Sequence, residues 1–215
     1  MNMVLARSLR ALGSVPFNHG ALLPLLADYR RPNDKIASLL ARGDLVQLRR
    51  GLYLLGTELR GGPVSLPLVA NLLFGPSYVS LDFALGWHGL IPEGVVEVSS
   101  VTPRRTREYA TPVGRFSYTH LSLVTYGMGV RMEKTPDGAS FLMASPEKAL
   151  CDKVLLTRNL NAVNVVSMRA YLLEDLRMEP EALGALDTSI IKQCLEAGHK
   201  PRQLAALLKA VETMR

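Results

Sequence analysis

The segment NDKIASLLARGDLVQLRRGLYLL, residues 33–55, changes its hydrophobic period at Gly43. Before this glycine, three apolar residues recur at helical spacing: Ile36, Leu39 and Leu40. That spacing predicts a short amphipathic helix. After the glycine, apolar and polar residues alternate as in a β-strand, Arg49-Arg50-Gly51 interrupts the run, and residues 52–55 continue it. The segment therefore predicts a helix followed by a β-hairpin whose tip carries two arginines.

The predicted helix has a start signal and a stop signal. Pro32 suits the first helical position, and the side chain of Asn33 or Asp34 is placed to cap the first turn. Gly43 is typical of the position just past a helix C-terminus. In the strand that follows, residues 45, 47 and 49 are expected on one face and residues 46, 48 and 50 on the other.

One face of the predicted helix is basic. Its residues follow one another at spacings of four, three and four: Arg31, Lys35, Ser38 and Arg42. A helix, a tight turn and a hairpin with a cationic tip are the order expected of the recognition helix and wing of a winged helix-turn-helix. A basic helix fits the major groove, and a cationic hairpin beside it holds phosphates or reaches the minor groove. The residues predicted to bind DNA are Arg30, Arg31, Asn33, Lys35, Ser38, Arg42, Arg49 and Arg50.

Charge placement favours this interpretation over its alternative, a basic face that serves solubility alone. The chain of 215 residues has a net charge of +6, and residues 1–60 contain nine Lys and Arg against four acids, an excess of five. A local positive field attracts a polyanion through counterion release, and DNA is the obvious candidate. A membrane-surface helix would need Trp or Phe beside the basic face, and this helix has neither.

The chain as a whole predicts an α+β fold with two domains. Residues 1–58 form the N-terminal winged helix-turn-helix, with earlier helices at 3–12 and 19–29. Asn18 is placed to cap the second of these helices, and Pro24 near its middle predicts either a kink or a later start. Residues 57–67, rich in Gly and Pro, predict a linker. Residues 66–215 form a mixed α+β domain with a helical C-terminal tail, in which Ser145 caps a helix that starts at Pro146. Residues 102–107 form a basic loop.

Composition excludes several classes of protein. No run approaches about 18 apolar residues without Pro, Gly or charge, so no membrane span is expected. The N-terminus lacks the apolar core of a secretory signal. Cys151 and Cys194 both lie in helix-like segments, which favours buried thiols over a disulfide or a metal site. We therefore expect a cytoplasmic protein.

Five stretches carry a resemblance to a known family. They are LVQLRRGLYLL (45–55), YVSLDFALGWHGLIPE (78–93), VVEVSSVTPRRT (95–106), GRFSYTHL (114–121) and SPEKALCDKVL (145–155). In this order they resemble the AbiEi family of antitoxins and predicted transcriptional regulators, from bacterial abortive-infection (type IV toxin–antitoxin) systems. The resemblance covers about residues 20–160, and none of its motifs is a catalytic signature.

The resemblance implies a winged helix that binds the operon's own promoter as double-stranded DNA and represses it. It implies a C-terminal domain that counteracts a nucleotidyltransferase-type toxin encoded next door. It also implies that residues 49–51 and the region around Lys35 contact DNA. A second basic patch, Arg104, Arg105 and Arg107, is predicted to touch DNA or the toxin, or to be solvated without a partner.

The sequence contains no recognisable catalytic or cofactor motif. It has no phosphate-binding glycine-rich loop, no nucleophile elbow and no CxxC or HExxH pattern, so we expect no enzyme activity, no cofactor and no metal. Asp82, Glu97 and Ser99 come nearest to a metal nuclease, but serine stands where such enzymes use lysine. A nuclease-like DNA-processing protein is therefore the weaker alternative. A winged-helix regulator with an effector-binding C-terminal domain is the other.

Overall fold

The computed structural model describes residues 3–215 and is a mixed α+β fold, as predicted, with twelve α-helices and two β-sheets in that range. Residues 1 and 2, where the predicted first domain begins, lie outside the described residues. The N-terminal unit (residues 3–60) contains, in chain order, α1 (Met3–Arg10), β1 (Phe17–Asn18), α2 (His19–Leu22), a 3-10 turn (Pro24–Leu26), α3 (Pro32–Ala41), β2 (Leu45–Arg49), β3 (Leu52–Leu55) and α4 (Thr57–Arg60).

A three-stranded antiparallel sheet joins the hairpin of β2 and β3 to the start of the chain. The strand order is β1-β3-β2, with Leu45 opposite Leu55. Asn18 caps α2 by accepting a hydrogen bond from the backbone of Ala21, as predicted. The second helix is shorter than predicted, because Pro24 converts the following turn to a 3-10 conformation.

The cap predicted for α3 is wrong. Arg31 occupies the N-cap position, and its side chain makes no capping hydrogen bond. Pro32 is the first helical residue, so Asn33 and Asp34 lie inside the first turn, two and three positions after the N-cap. The stripe that the helix buries is as predicted: Ile36 and Leu39 are buried and Leu40 is half-buried.

The two faces of the hairpin pack against different cores. Tyr53 and Leu55 belong to the apolar cluster of the N-terminal unit, whereas Leu52 and Leu54 belong to the cluster that continues into the rest of the chain. β2 departs from the predicted strict alternation because a bulge lies between Gln47 and Arg49. The hairpin is therefore held between two cores, and its tip extends into solvent.

The predicted linker is partly helical. Residues 57–60 form α4, which packs against α1 and buries Leu59. Gly56 immediately before it is required sterically, since a Cβ there would lie 1.9 Å from the carbonyl oxygen of Gly43. The N-terminal unit thus extends a few residues beyond the hairpin.

The C-terminal unit (residues 65–215) is built on a six-stranded mixed sheet. It begins with α5 (Leu66–Leu73), β4 (Tyr78–Val79), α6 (Leu81–Trp87), β5 (Val98–Thr102), β6 (Arg107–Thr111), β7 (Gly114–His120), α7 (Leu123–Tyr126), β8 (Val130–Lys134) and β9 (Ser140–Ala144). The strand order is β6-β7-β5-β4-β9-β8. The basic loop is shorter than predicted, because Arg107 already pairs with Tyr118 as the first residue of β6.

The tail is helical, as predicted. It contains α8 (Pro146–Leu156), α9 (Val165–Ala170), a π-helical segment (Tyr171–Asp175), α10 (Pro180–Gly184), α11 (Thr188–Glu196) and α12 (Pro201–Glu212). Ser145 caps α8 by accepting from the backbone of Lys148, with Pro146 first in the helix, and this prediction is confirmed. Cys151 and Cys194 are free and buried, also as predicted. No helix between residues 3 and 215 has both the length and the apolarity that crossing a membrane requires.

Candidate nucleic-acid interface

The outer face of α3 is polar and largely exposed. Ser38 and Arg42 are exposed, and Arg31 is exposed just before the helix. Lys35 is half-buried because its ammonium group lies 5.0 Å from the centre of the Tyr29 ring. This cation–π contact holds the lysine beside the helix while its donors remain at the surface.

Two predicted DNA-binding arginines already have acidic partners. Arg31 lies 3.7 Å from Asp34, and both side chains are more than 70% exposed, so solvent screens that pair. Arg42 lies 2.7 Å from Asp44 on the turn into β2, where the Asp44 side chain is only 22% exposed. Arg42 is therefore oriented by Asp44 and partly neutralised by it.

Asn33 has a partner that the sequence did not reveal. Its Oδ1 accepts a hydrogen bond from His19 Nε2 at 2.9 Å. This bond links the first turn of α3 to the first residue of α2, across a separation of fourteen residues. Helical spacing identifies neighbours on one helix only, so it gave no signal for His19.

Arg49 and Arg50 project from the hairpin tip, and both are exposed. Gly51 adopts φ +79°, a left-handed conformation that favours glycine and closes the tip. Its carbonyl accepts a hydrogen bond from the backbone of His19 at 3.1 Å, so the tip is fixed to the start of α2. The two arginines are therefore presented from a turn that is joined to the start of α2, whose first residue also bonds to Asn33 in α3.

Several cationic side chains of these regions have no acidic partner. Within residues 3–215, no carboxylate lies within 4.0 Å of any of six arginines: Arg30, Arg49, Arg50, Arg104, Arg105 and Arg107. All six are exposed. Unpaired exposed guanidinium groups are free to donate to phosphate, with which they form bidentate charge-assisted bonds.

The two carboxylates of the nuclease alternative each lie near a basic side chain. Asp82 pairs with Lys153 at 2.7 Å, whereas Glu97 lies near Arg115 at 3.7 Å. The hydroxyl of Ser99 donates to the carbonyl of Ser80 and accepts from the backbone of Phe83, so it has a structural role. Among residues 3–215, no three His, Cys, Asp or Glu side chains converge in a group that could hold a metal ion.

A cleft beside α6 is a location where a small molecule would fit. Its volume is about 390 Å³, and it is lined by Asp82, Ile91, Glu93, Gly94, Val95, Asp175 and Leu176. Three of these residues are acidic, but Asp82 is paired with Lys153 and Glu93 with Arg177, so their negative charge is partly balanced. No residue of the hairpin (45–55) is among those that line it.

The chain matches no model of a known protein family, and no curated protein is significantly similar to it.

Proposed function

We propose that the protein is a DNA-binding transcriptional repressor that also acts as an antitoxin of a type IV, AbiE-like toxin–antitoxin system. The observation that carries the DNA-binding part is the pair of exposed, unpaired arginines at the hairpin tip. The backbone of His19 joins this tip to the start of α2, and the His19 side chain bonds to Asn33 in the first turn of α3. The residues of α3, the turn and the hairpin follow the order expected of a winged helix-turn-helix, which supports assigning that domain to the N-terminal unit.

In this proposal α3 enters the major groove. Lys35, Ser38 and Arg42 face the base edges, and Arg30 and Arg31 bind phosphates ahead of the helix. Arg49 and Arg50 bind the DNA phosphate backbone or the minor groove beside the site where α3 binds. Because Arg42 is held by Asp44, DNA must compete with that carboxylate for one of the three residues that face the bases.

The antitoxin part rests on the resemblance of five stretches to the AbiEi family. It assigns repression of the operon's own promoter to the N-terminal unit and neutralisation of a nucleotidyltransferase-type toxin to the C-terminal unit. The two units share apolar packing through Leu48, Leu52 and Leu54. Variants of the full chain are therefore better tools for separating these two activities than truncations, since a truncation would expose this surface.

Replacing Arg49 and Arg50 by alanine tests the DNA-binding proposal. We expect weaker binding to the DNA immediately upstream of the gene, and a slope of log K against log salt reduced by about 1.8, which corresponds to two phosphates. The measurement is a salt titration by fluorescence anisotropy. The control is Arg158→Ala/Arg202→Ala, which removes the same charge from exposed positions in the tail.

Two results would contradict the proposal: a wild-type chain that does not bind this DNA, or equal slopes for the hairpin and tail variants. In cells, the hairpin variant should lose repression of a promoter reporter and still protect against the co-expressed toxin. Loss of both activities in a folded variant would contradict the assignment of repression to the N-terminal unit and of toxin neutralisation to the C-terminal unit.

A further inference from the structure

β8 (Val130–Lys134) is the last strand of the six-stranded sheet. It pairs with β9 along its whole length, from Val130 opposite Ala144 to Lys134 opposite Ser140. Among residues 3–215, the backbone groups of β8 form no hydrogen bond with any other element. Because an antiparallel strand directs only alternate N–H and C=O groups to each neighbour, the remaining backbone groups of β8 face outward.

The opposite edge of the sheet is in contact with the N-terminal unit. That edge is β6, and β2 of the hairpin packs against it. Arg107, the first residue of β6, also lies over the rings of Phe74 and Tyr109, 6.0 Å and 5.2 Å from their centres. In the described part of the chain, β8 is therefore the sheet edge that is open to a further strand.

One face of this edge is apolar and exposed. Met132 in β8 lies directly opposite Leu142 in β9, so their side chains share a face, and they are 66% and 44% exposed. The Asn71 side chain donates to the carbonyl of Leu142 at 3.2 Å and accepts from its N–H at 2.6 Å, which fixes this part of β9 to α5. Exposed apolar residues on an ordered edge strand favour contact with another chain.

The charges of β8 are complementary to themselves when the strand is reversed. Arg131 and Glu133 lie on either side of Met132 in the sequence and on the face opposite to it, where their side chains pair at 2.5 Å. In an antiparallel pairing of two copies centred on Met132, Arg131 of each copy faces Glu133 of the other. Lys134 faces Val130, so no like charges are opposed.

We propose that β8 pairs with the β8 of a second copy of this chain, antiparallel and centred on Met132, so that the two six-stranded sheets become continuous. The contact has two-fold symmetry, as expected of a homodimer in which the same surface of each copy is used. Two ion pairs between Arg131 and Glu133 fix its register, and the Met132 side chains meet at the axis. This inference goes beyond the proposed function and does not depend on DNA.

The length of β8 limits the strength of this contact. The strand has five residues and spans about 17 Å, and Pro136, in the turn that follows, has no N–H with which to continue the pairing. A contact of this length is smaller than the interfaces of stable dimers. The dimer is therefore weak, and its population depends on the protein concentration.

Charge reversal tests the inference in the full-length chain without DNA. Sedimentation equilibrium at concentrations up to about 1 mM should show the wild-type mass rising reversibly from monomer to dimer. Arg131→Glu places a second acidic side chain opposite Glu133, and Glu133→Arg places a second arginine opposite Arg131. Because opposed like charges destabilise strand pairing and the two-fold axis repeats each contact, either variant should raise the dimer dissociation constant about tenfold.

Restoring the complementarity should restore the dimer. The double variant Arg131→Glu/Glu133→Arg exchanges the two charges, so opposite charges face each other again. An equimolar mixture of the two single variants should form a heterodimer, because one supplies two acidic side chains and the other supplies two arginines. Lys192→Glu and Glu212→Lys reverse the charges of an exposed ion pair in the tail and should leave association unchanged. Amide hydrogen exchange of residues 130–134 should slow as the protein concentration rises.

Three results would overturn the inference. A wild-type chain that stays monomeric over this range of concentration does not pair through β8. A wild-type dimer that both single variants retain uses another surface. If neither the double variant nor the mixture associates, although their melting temperatures match that of the wild type, Arg131 and Glu133 do not face each other. None of these results bears on the salt titration with DNA, which tests the proposed function separately.

Discussion

The exposed arginines of the hairpin tip and the buried lysine of α8 are opposite solutions for a cationic side chain. Arg49 and Arg50 are exposed and have no carboxylate within 4.0 Å among residues 3–215. Lys148 is fully buried, lies 2.8 Å from Asp152 and donates to the carbonyl of Thr125 at 2.6 Å. One charge is left for a partner, and the other is satisfied within the fold.

The carboxylate of Asp152 balances the buried charge of Lys148 and is itself held by two hydroxyl groups. The hydroxyls of Tyr78 and Ser80 both donate to its Oδ2 at 2.8 Å. Burial raises the pKa of Asp152, whereas Lys148 and these two hydroxyls oppose the rise. The network connects α8 to β4 and α6, so it fixes the sheet against the helical tail. In this protein, therefore, the buried charge of Lys148 serves the fold, whereas the exposed charges of Arg49 and Arg50 are available for binding.

Breaking the buried ion pair between Lys148 and Asp152 should have the largest effect, a loss of folding stability. Lys148→Met leaves Asp152 buried without its countercharge, and we expect a loss of about 3–5 kcal/mol in the free energy of unfolding. Urea denaturation measures it. Arg49→Ala/Arg50→Ala should change the same quantity by no more than about 0.5 kcal/mol.

Asp34→Ala is the control for Lys148→Met, since it breaks the exposed pair with Arg31 and should cost no more than about 0.5 kcal/mol. The double variant Lys148→Met/Asp152→Asn removes both buried charges and should be less destabilised than the sum of its single variants. Similar losses for the buried and exposed pairs would refute the comparison.

Asp44→Asn should have an intermediate effect, which concerns DNA binding and not folding stability. It removes the carboxylate that holds Arg42 and frees this arginine for phosphate or base contact. We expect the affinity for the upstream duplex to rise by up to about tenfold, and the salt slope to steepen by about 0.9.

The control for Asp44→Asn is Glu196→Gln, which removes one negative charge from an exposed position in the tail. Both variants are measured by the same anisotropy titration. A gain in affinity that is equal in the two variants would mean that net charge, and not the release of Arg42, is responsible.

The smallest effect should come from His88, whose Nε2 donates to the carbonyl of Ala144 at 2.9 Å. Burial lowers its pKa from the ordinary value of 6.5; Arg131 acts in the same direction, while the bond to Ala144, Glu133 and Glu147 oppose it. The unfolded state therefore binds the proton more readily. The free energy of unfolding should fall as the pH drops below about 6.5 and be independent of His88 above it.

Chemical denaturation between about pH 7.5 and pH 5 measures this dependence on His88. His88→Gln should flatten the decrease, and His199→Gln, at an exposed position, controls for removal of an imidazole. An equal decrease in wild type and His88→Gln would assign the pH dependence to other groups.

Local sequence predicted α3 and the hairpin in the N-terminal unit and the start of α8 in the C-terminal unit. The apolar spacing of Ile36, Leu39 and Leu40 predicted α3, and the interruption at residues 49–51 predicted the hairpin tip. Ser145 and Pro146 predicted the start of α8. These signals were sufficient because helical period, turn closure and capping depend on residues only a few positions apart.

The partners of those elements were decided only by the tertiary structure. The hydrogen bond between Asn33 and His19 and the packing of β2 against β6 join residues that no local pattern relates. The mutual ring contacts of Phe74, Tyr109 and Tyr118 likewise combine residues from distant parts of the chain. Burial of Lys148 was also not visible in the sequence, because it depends on which strands and helices surround α8.

The sequence by itself thus predicted where most of the helices, the hairpin tip and the charges of this protein lie along the chain. Only the packing of the two units decided which charges face each other, which are neutralised and which remain open. The physical reason is range: secondary structure follows from near neighbours in sequence, whereas burial and electrostatic pairing depend on distances in space between residues far apart in the chain.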